Sequence, residues 1–173
     1  RWFLAEQQLG VYNFTMYERL LDDLESAGVG AYWILAHGNP LYGTPPEPGD
    51  PITATQQEGF ARFTVAMMAH FAGRGVIWEL WNEPNDGASW VNASGARHAN
   101  STQYAALLNA VGQAVRGDPR TKDEVLVGPT TSGVDVAFIA SVGATGALSW
   151  LDGISVHPYR KGGPESVLLD YFG

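Results

Sequence analysis

The feature that most constrains this chain is an asymmetry of loop lengths. Helical and strand patterns alternate along it. The segments that lead into the strands are short (28–30, 73–75 and roughly 117–124), whereas those that follow the strands are long.

Thr15-Met16-Tyr17-Glu18 reads as a capping box, and Tyr17, Leu20, Leu21 and Leu24 then follow helical spacing. Gly28 and Gly30 stop that helix. Residues 31–36 (Ala-Tyr-Trp-Ile-Leu-Ala) form a short apolar run, the pattern of a buried strand, and residues 37–51 a Pro/Gly-rich loop. The cycle repeats. Thr55-Gln56-Gln57-Glu58 reads as a second capping box, Phe60, Phe63, Met67 and Phe71 as an apolar stripe, and residues 76–80 as a strand. A long loop covers 81–100. Tyr104, Leu107, Leu108, Val111 and Val115 make a third stripe, residues 125–127 a third strand, 134–142 a short helix and 153–156 a fourth strand. A last helix is expected to begin in 165–172.

Buried strands separated by helices imply a parallel sheet with crossover connections. Long loops after the strands are typical of a (β/α)8 TIM barrel, in which those loops build the active site. A doubly wound α/β sheet is the competing architecture. No Gly-x-Gly-x-x-Gly follows a strand, Gly28-x-Gly30 and Gly73-x-Gly75 precede strands instead, and there is no Walker loop. A complete barrel needs at least about 200 residues. The chain has 173 residues and four strand patterns. The expectation is a single incomplete TIM-barrel domain over 1–173, running from just after one strand to just after another. The first residue is Arg1, so processing or truncation is expected to have removed the start.

Composition excludes several classes. Ten Lys+Arg against 18 Asp+Glu give a net charge of −8, without the basic footprint a nucleic-acid binder needs. No apolar run reaches the roughly 18–20 residues of a membrane span. With no Cys there is no disulfide framework, thiolate metal site or Cys nucleophile. Four scattered His without His-x-x-x-His suggest no metal centre, no Gly-x-Ser-x-Gly supports a serine hydrolase, and no cofactor is expected. Sequons at Asn13, Asn92 and Asn100 are read as chance.

The strongest local signal is Trp78-Glu79-Leu80-Trp81-Asn82-Glu83-Pro84-Asn85. A carboxylate ends a strand, an amide precedes it and Pro84 stops the ladder. Strand alternation would put Glu79, Trp81 and Glu83 on one inward face. Cleaving a glycosidic bond usually takes two carboxyl groups, about 5–5.5 Å apart for retention and about 6.5–9.5 Å for inversion. Four strand residues span about 13 Å, too far for Glu79 to partner Glu83. Glu79 is therefore read as an interior carboxylate held by a basic or hydrogen-bonding neighbour on an adjacent strand.

The same octapeptide resembles the fourth-strand motif of the clan A (β/α)8 glycoside hydrolases. Residues 37–42 (His-Gly-Asn-Pro-Leu-Tyr), residues 154–160 (Ile-Ser-Val-His-Pro-Tyr-Arg) and the pattern Trp2-x-x-x-Glu6-x-x-x-Gly10-x-Tyr12-x-Phe14 are most similar to glycoside hydrolase family 39. The resemblance runs in family order over nearly the whole chain, which would then carry the third to sixth barrel strands. It implies a retaining hydrolase acting on poly- or oligosaccharides, with Glu83 as general acid/base and Asn82 as its sugar-binding neighbour. His157 and Tyr159 match sixth-strand positions lining the pocket, and His37 is a further pocket candidate. Trp90, in the loop after Glu83, offers an aromatic face for a sugar ring or packs beneath that loop. His70 and His98 are read as bland, and Trp2, Trp33, Trp78 and Trp150 as core.

The family's nucleophile is a seventh-strand Glu. Glu165 does not match that motif, so the nucleophile is expected beyond Gly173 and the chain alone is expected to be inactive or nearly so. Open barrel edges imply self-association, and polysaccharide substrates imply an extracellular or periplasmic location. The alternative is a non-catalytic carbohydrate-binding or interaction module derived from such an enzyme.

Overall fold

The computed structural model describes residues 1–44, 49–87, 90, 99–159, 162, 163 and 166. A short helix α1 (Trp2–Ala5) precedes α2 (Thr15–Ser26), β1 (Tyr32–Leu35), α3 (Ala54–His70), β2 (Ile77–Leu80) and α4 (Ser101–Gly117). Then come β3 (Leu126–Val127), β4 (Thr131–Ser132), α5 (Val136–Gly143) and β5 (Val156–His157). Strands β1, β2 and β3 pair in that order, all parallel, with Tyr32 beside Ile77 and Trp78 beside Leu126. Val127 bridges in parallel to Gly153, and β4 pairs in parallel with β5. Helix α3 thus joins β1 to its neighbour β2, α4 joins β2 to its neighbour β3, and α5 joins β4 to its neighbour β5, while β3 runs on to β4 through residues 128–130 without a helix. That is barrel winding rather than the reversed order of a doubly wound sheet. The described strands do not close into a barrel. Among the described residues no helix is long and apolar enough to cross a membrane.

Both expected capping boxes are corrected. Helix α2 does start at Thr15, but its cap is Phe14, and Glu18 turns away to meet His70 of α3 at 2.7 Å. Asn13 Oδ1 accepts the Thr15 N–H instead, so this sequon residue has a structural task. The second box forms two residues early: Thr53 caps α3 by accepting from the Gln56 N–H, and Gln56 Oε1 accepts the Thr53 N–H. Asn100, another sequon residue, caps α4. The fourth strand also shifts, from 153–156 to Val156–His157, and its partner β4 was not expected at all. Two residues of strand leave no periodicity to read. Apart from Ser166, the helix expected in 165–172 lies outside the described residues, as does His98.

The sheet's two faces differ. Trp78 and Leu80 of β2 are fully buried against the helices, beside Phe71, Phe63 and Met67. Trp33 and Trp78 meet edge to face at 5.7 Å, and Phe71 packs on both. Each such side chain contributes about 1.5–3 kcal/mol by leaving water. On the opposite, inner face Tyr32, Ile34 and Ile77 stay partly exposed, so the sequence expectation of a fully buried β1 is wrong for one side of the strand. Trp2 and Trp78 are core as expected, whereas Trp33 and Trp150 only lean on it.

Helix α4 is held close to the turn at 147–150 by a missing side chain. A Cβ on Gly112 would come within 3.0 Å of three atoms of Trp150. Trp150 cannot readily yield, because its indole N–H donates to Asn109 at 2.9 Å and its carbonyl accepts from Arg116 at 2.9 Å. Gly112→Ala is therefore expected to cost about 1–3 kcal/mol through overpacking. A lower urea midpoint at unchanged m would show it, and an unchanged midpoint would contradict this account.

Candidate active site

Strand β2 ends at Leu80, and the backbone then turns. Trp81 and Glu83 take positive φ values of 69° and 49°. The alternation expected through 79, 81 and 83 therefore stops at Glu79. Trp81 swings into the helical layer, fully buried against Phe60, His37 and Trp90. Glu83 is carried back over the C-terminal end of the sheet. There its Oε1 lies 2.9 Å from His157 Nδ1. The other ring nitrogen, Nε2, lies 3.5 Å from Glu79 Oε2. The estimate of about 13 Å between the two carboxyl groups assumed extended chain. The turn instead leaves them on opposite sides of a single imidazole.

Glu79 is almost completely buried. Its Oε1 accepts from the Ser155 hydroxyl and lies 2.7 Å from Tyr32 Oη, which is itself 2.9 Å from Ser155 Oγ. The expectation of hydrogen-bonding neighbours on adjacent strands is met by Tyr32 of β1 and by Ser155 just before β5. Register makes this possible: Ile34 lies beside Glu79, placing Tyr32 two residues along on the same face. Burial, with Glu79 adding to it, pushes the Tyr32 phenol up to about 12.

The other expected residues divide. His157 joins Glu83 directly. Tyr159 lies next to it, ring centroids 5.8 Å apart, and is widely exposed. Asn82 is half-buried in the turn between Trp81 and Glu83. His37 sits at the end of β1, its ring edge-on to Trp81, and burial pulls it below the usual imidazole range, with the positive charges of Arg1 and the chain N-terminus adding to the shift. Trp90 is a correction. It is fully buried between Trp81 and Tyr104, and its indole N–H donates to Gln103 at 3.0 Å. No face of that ring is free for a sugar.

Two supports were missed. Asn85 clamps the loop after β2 to the end of β4: its Oδ1 accepts the Ser132 N–H at 2.8 Å, and its Nδ2 donates to the Ser132 carbonyl and to Asp135, both at 3.1 Å. Glu6, fully buried, accepts from the Trp2 indole, the Gly10 N–H and the Tyr42 hydroxyl. Its carbonyl accepts from Asn39 Nδ2, which ties the loop after β1 to α1. The i, i+4 spacing of Trp2 and Glu6, and the Asn directly after Glu-Pro, were the available signals. Two surface grooves, along α2 and between α3 and α4, are lined by neither Glu83 nor His157.

A parallel sheet wound strand by strand, with polar side chains gathered at its C-terminal mouth, defines a part of a (β/α)8 barrel. Solved structures agree. A family 39 glycoside hydrolase from the gut symbiont Bacteroides cellulosilyticus WH2 matches with a TM-score of 0.73 and 24% identity, over 92% of this chain and 31% of that one. A family 39 β-xylosidase from Caulobacter crescentus matches with a TM-score of 0.62 and 22% identity, over 85% of this chain and 34% of that one. A family 10 xylanase from Bispora sp. MEY-1, solved with xylobiose, matches with a TM-score of 0.57 and 13% identity, over 89% of this chain and 49% of that one. The fold is therefore that of a segment of the (β/α)8 barrel seen in these structures, and the chain spans about a third of the length of the two family 39 structures. No family model and no curated relative matches the sequence.

Proposed function

We propose that this chain carries the acid/base half of a retaining glycoside hydrolase of family 39 type. The observation that supports this most is the contact between Glu83 and His157, made where β2 and β5 both end at the mouth of the sheet. Loops at that end of a barrel hold its chemistry. In this mechanism Glu83, protonated, gives its proton to the departing glycosidic oxygen while a second carboxylate attacks the anomeric carbon. The ionised Glu83 then takes a proton from water, whose oxygen cleaves the glycosyl ester and restores both groups. Asn82, Tyr159 and His37 are assigned to the sugar-binding surroundings.

Glu79 is a poor candidate for the second carboxylate. It is 1% exposed and its Oε1 is engaged by two hydroxyls, so it has no path to an anomeric carbon. The nucleophile is assigned to a residue outside this chain's described part, about 5–5.5 Å from Glu83 in the working site. Xylo-oligosaccharides are the first substrates to try, because two of the similar structures are a β-xylosidase and a xylanase. The test is azide rescue in a polypeptide that joins this chain to the nucleophile. With Glu83→Ala, azide is expected to yield a glycosyl azide that keeps the substrate's anomeric configuration. An azide of inverted configuration, or undiminished hydrolysis without azide, would overturn the proposal.

Self-association belongs to the same picture. Tyr32, Ile34 and Ile77 leave apolar surface open on the sheet's inner face. Sedimentation of the chain by itself is expected to show species heavier than 18.6 kDa, against the opposing charge of −8. A single monomeric boundary would contradict this.

A further inference from the structure

His157 stands between two carboxyl groups, and only one of them faces the mouth. Glu83 is at Nδ1, while Glu79 lies behind the ring at Nε2. A neutral imidazole has one N–H and one lone pair, and the hydrogen bond made by one nitrogen decides what the other can do. Among the described residues Glu79 Oε2 is buried and accepts no hydrogen bond, although Oε1 of the same group is served by Tyr32 and Ser155. A buried acceptor left without a donor is costly. The nitrogen opposite it is His157 Nε2, at 3.5 Å.

We propose that Glu79 is a positioning residue: its Oε2 takes the Nε2–H of His157 and so turns the Nδ1 lone pair toward Glu83. Nδ1 then accepts from the protonated carboxyl of Glu83 rather than donating to it. The ring is thereby set to hold the acid in its proton-bearing orientation until a leaving oxygen competes for the same hydrogen. Tyr32 and Ser155 lock Glu79 and leave Oε2 as the oxygen that faces the ring. The role assigned to Glu79 rests on the reading of Glu83 as general acid, but the arrangement of the ring can be measured without it.

The measurement is the nitrogen NMR of the His157 ring in the Glu83→Gln chain, whose uncharged amide stands in for the protonated acid, at a pH where the ring is neutral. The Nε2–H form is expected in at least about tenfold excess, since a hydrogen bond to a charged group selects it. Glu79→Gln is expected to reverse this. Two hydroxyl donors force the amide oxygen into the place of Oε1, the NH2 group then faces Nε2, and the proton moves to Nδ1. Glu79→Asp keeps a carboxylate and is expected to keep the Nε2–H form, which a merely structural loss would not do. In that background, a ring carrying its proton on Nδ1 with Glu79 in place, or an unchanged ring when Glu79→Gln is added, overturns the inference. Should Glu79→Gln not fold, the spectra of the Glu83→Gln chain with Glu79 in place and with Glu79→Asp decide. Loss of the tautomer switch alongside a strong Glu83→Gln defect in hydrolysis sinks this inference alone. A clean switch with no Glu83→Gln defect sinks the catalytic reading alone.

Discussion

Glu83→Gln is expected to lower kcat/KM on unactivated oligosaccharides by about 10²–10⁴-fold, the range a well-placed general acid contributes. The substitution keeps the shape and removes the transferable proton. Its consequence depends on the leaving group. A sugar alkoxide leaves badly without protonation, whereas an aryl group with an acidic phenol needs no help. The first step should therefore fall steeply for xylobiose and little for an activated aryl xyloside. With the aryl substrate the second step becomes limiting, because no base remains to activate water, and the glycosyl-enzyme accumulates as a burst. Comparing kcat/KM and kcat across leaving groups checks this in a polypeptide that also supplies the nucleophile. Equal losses on both substrates would point to a positional rather than a proton-transfer role. No loss on either would remove Glu83 from the chemistry. The amide can still meet His157 Nδ1, now 2.9 Å from the carboxyl oxygen, so the fold of the mouth should survive.

The parallel pairing of β1, β2 and β3 was legible in the sequence for physical reasons. Short apolar runs bounded by glycines are sufficient to mark parallel strands, and β1, β2 and β3 fall within the expected windows. The expected stop at Glu83-Pro84 comes too late, because β2 already ends at Leu80 and the chain turns at Trp81. What could not be read depends on geometry between elements. The Tyr32–Glu79–Ser155 cluster exists because register places three different elements side by side, and no local pattern encodes register. Glu18 looked like a capping residue because local rules see only its own helix, while His70, 52 positions away, took it instead. The alternation through Glu79, Trp81 and Glu83 failed for a subtler cause. Period-two reasoning assumes extended backbone, and Trp81 is left-handed. Trp90 illustrates the same limit: an aromatic in a long loop has two faces, and only packing against Trp81 and Tyr104 decides that neither is open.

Trp81 is where fold and site are joined, and its removal is expected to have the largest effect on stability. The ring is fully buried and touches His37 at the end of β1, Phe60 of α3 and Trp90 of the following loop. Its backbone N–H donates to the Leu35 carbonyl at 2.9 Å, the last rung between β1 and β2 before the chain turns toward Glu83. Trp81→Ala is expected to cost about 3–5 kcal/mol, the usual result of emptying an indole-sized space in a core. The backbone adds a discriminating detail. At φ 69° any residue with a Cβ is held in the left-handed region, which costs about 1–2 kcal/mol. Glycine escapes that cost, and its own penalty, greater freedom in the unfolded chain, is smaller at about 0.4–1 kcal/mol. Trp81→Gly should therefore be less destabilising than Trp81→Ala, although it removes one more carbon from the core. Urea unfolding of the three proteins reads the order directly. If alanine proves the milder substitution, the left-handed turn is not what aims Glu83 over the sheet, and the path from the end of β2 to the mouth has to be drawn differently.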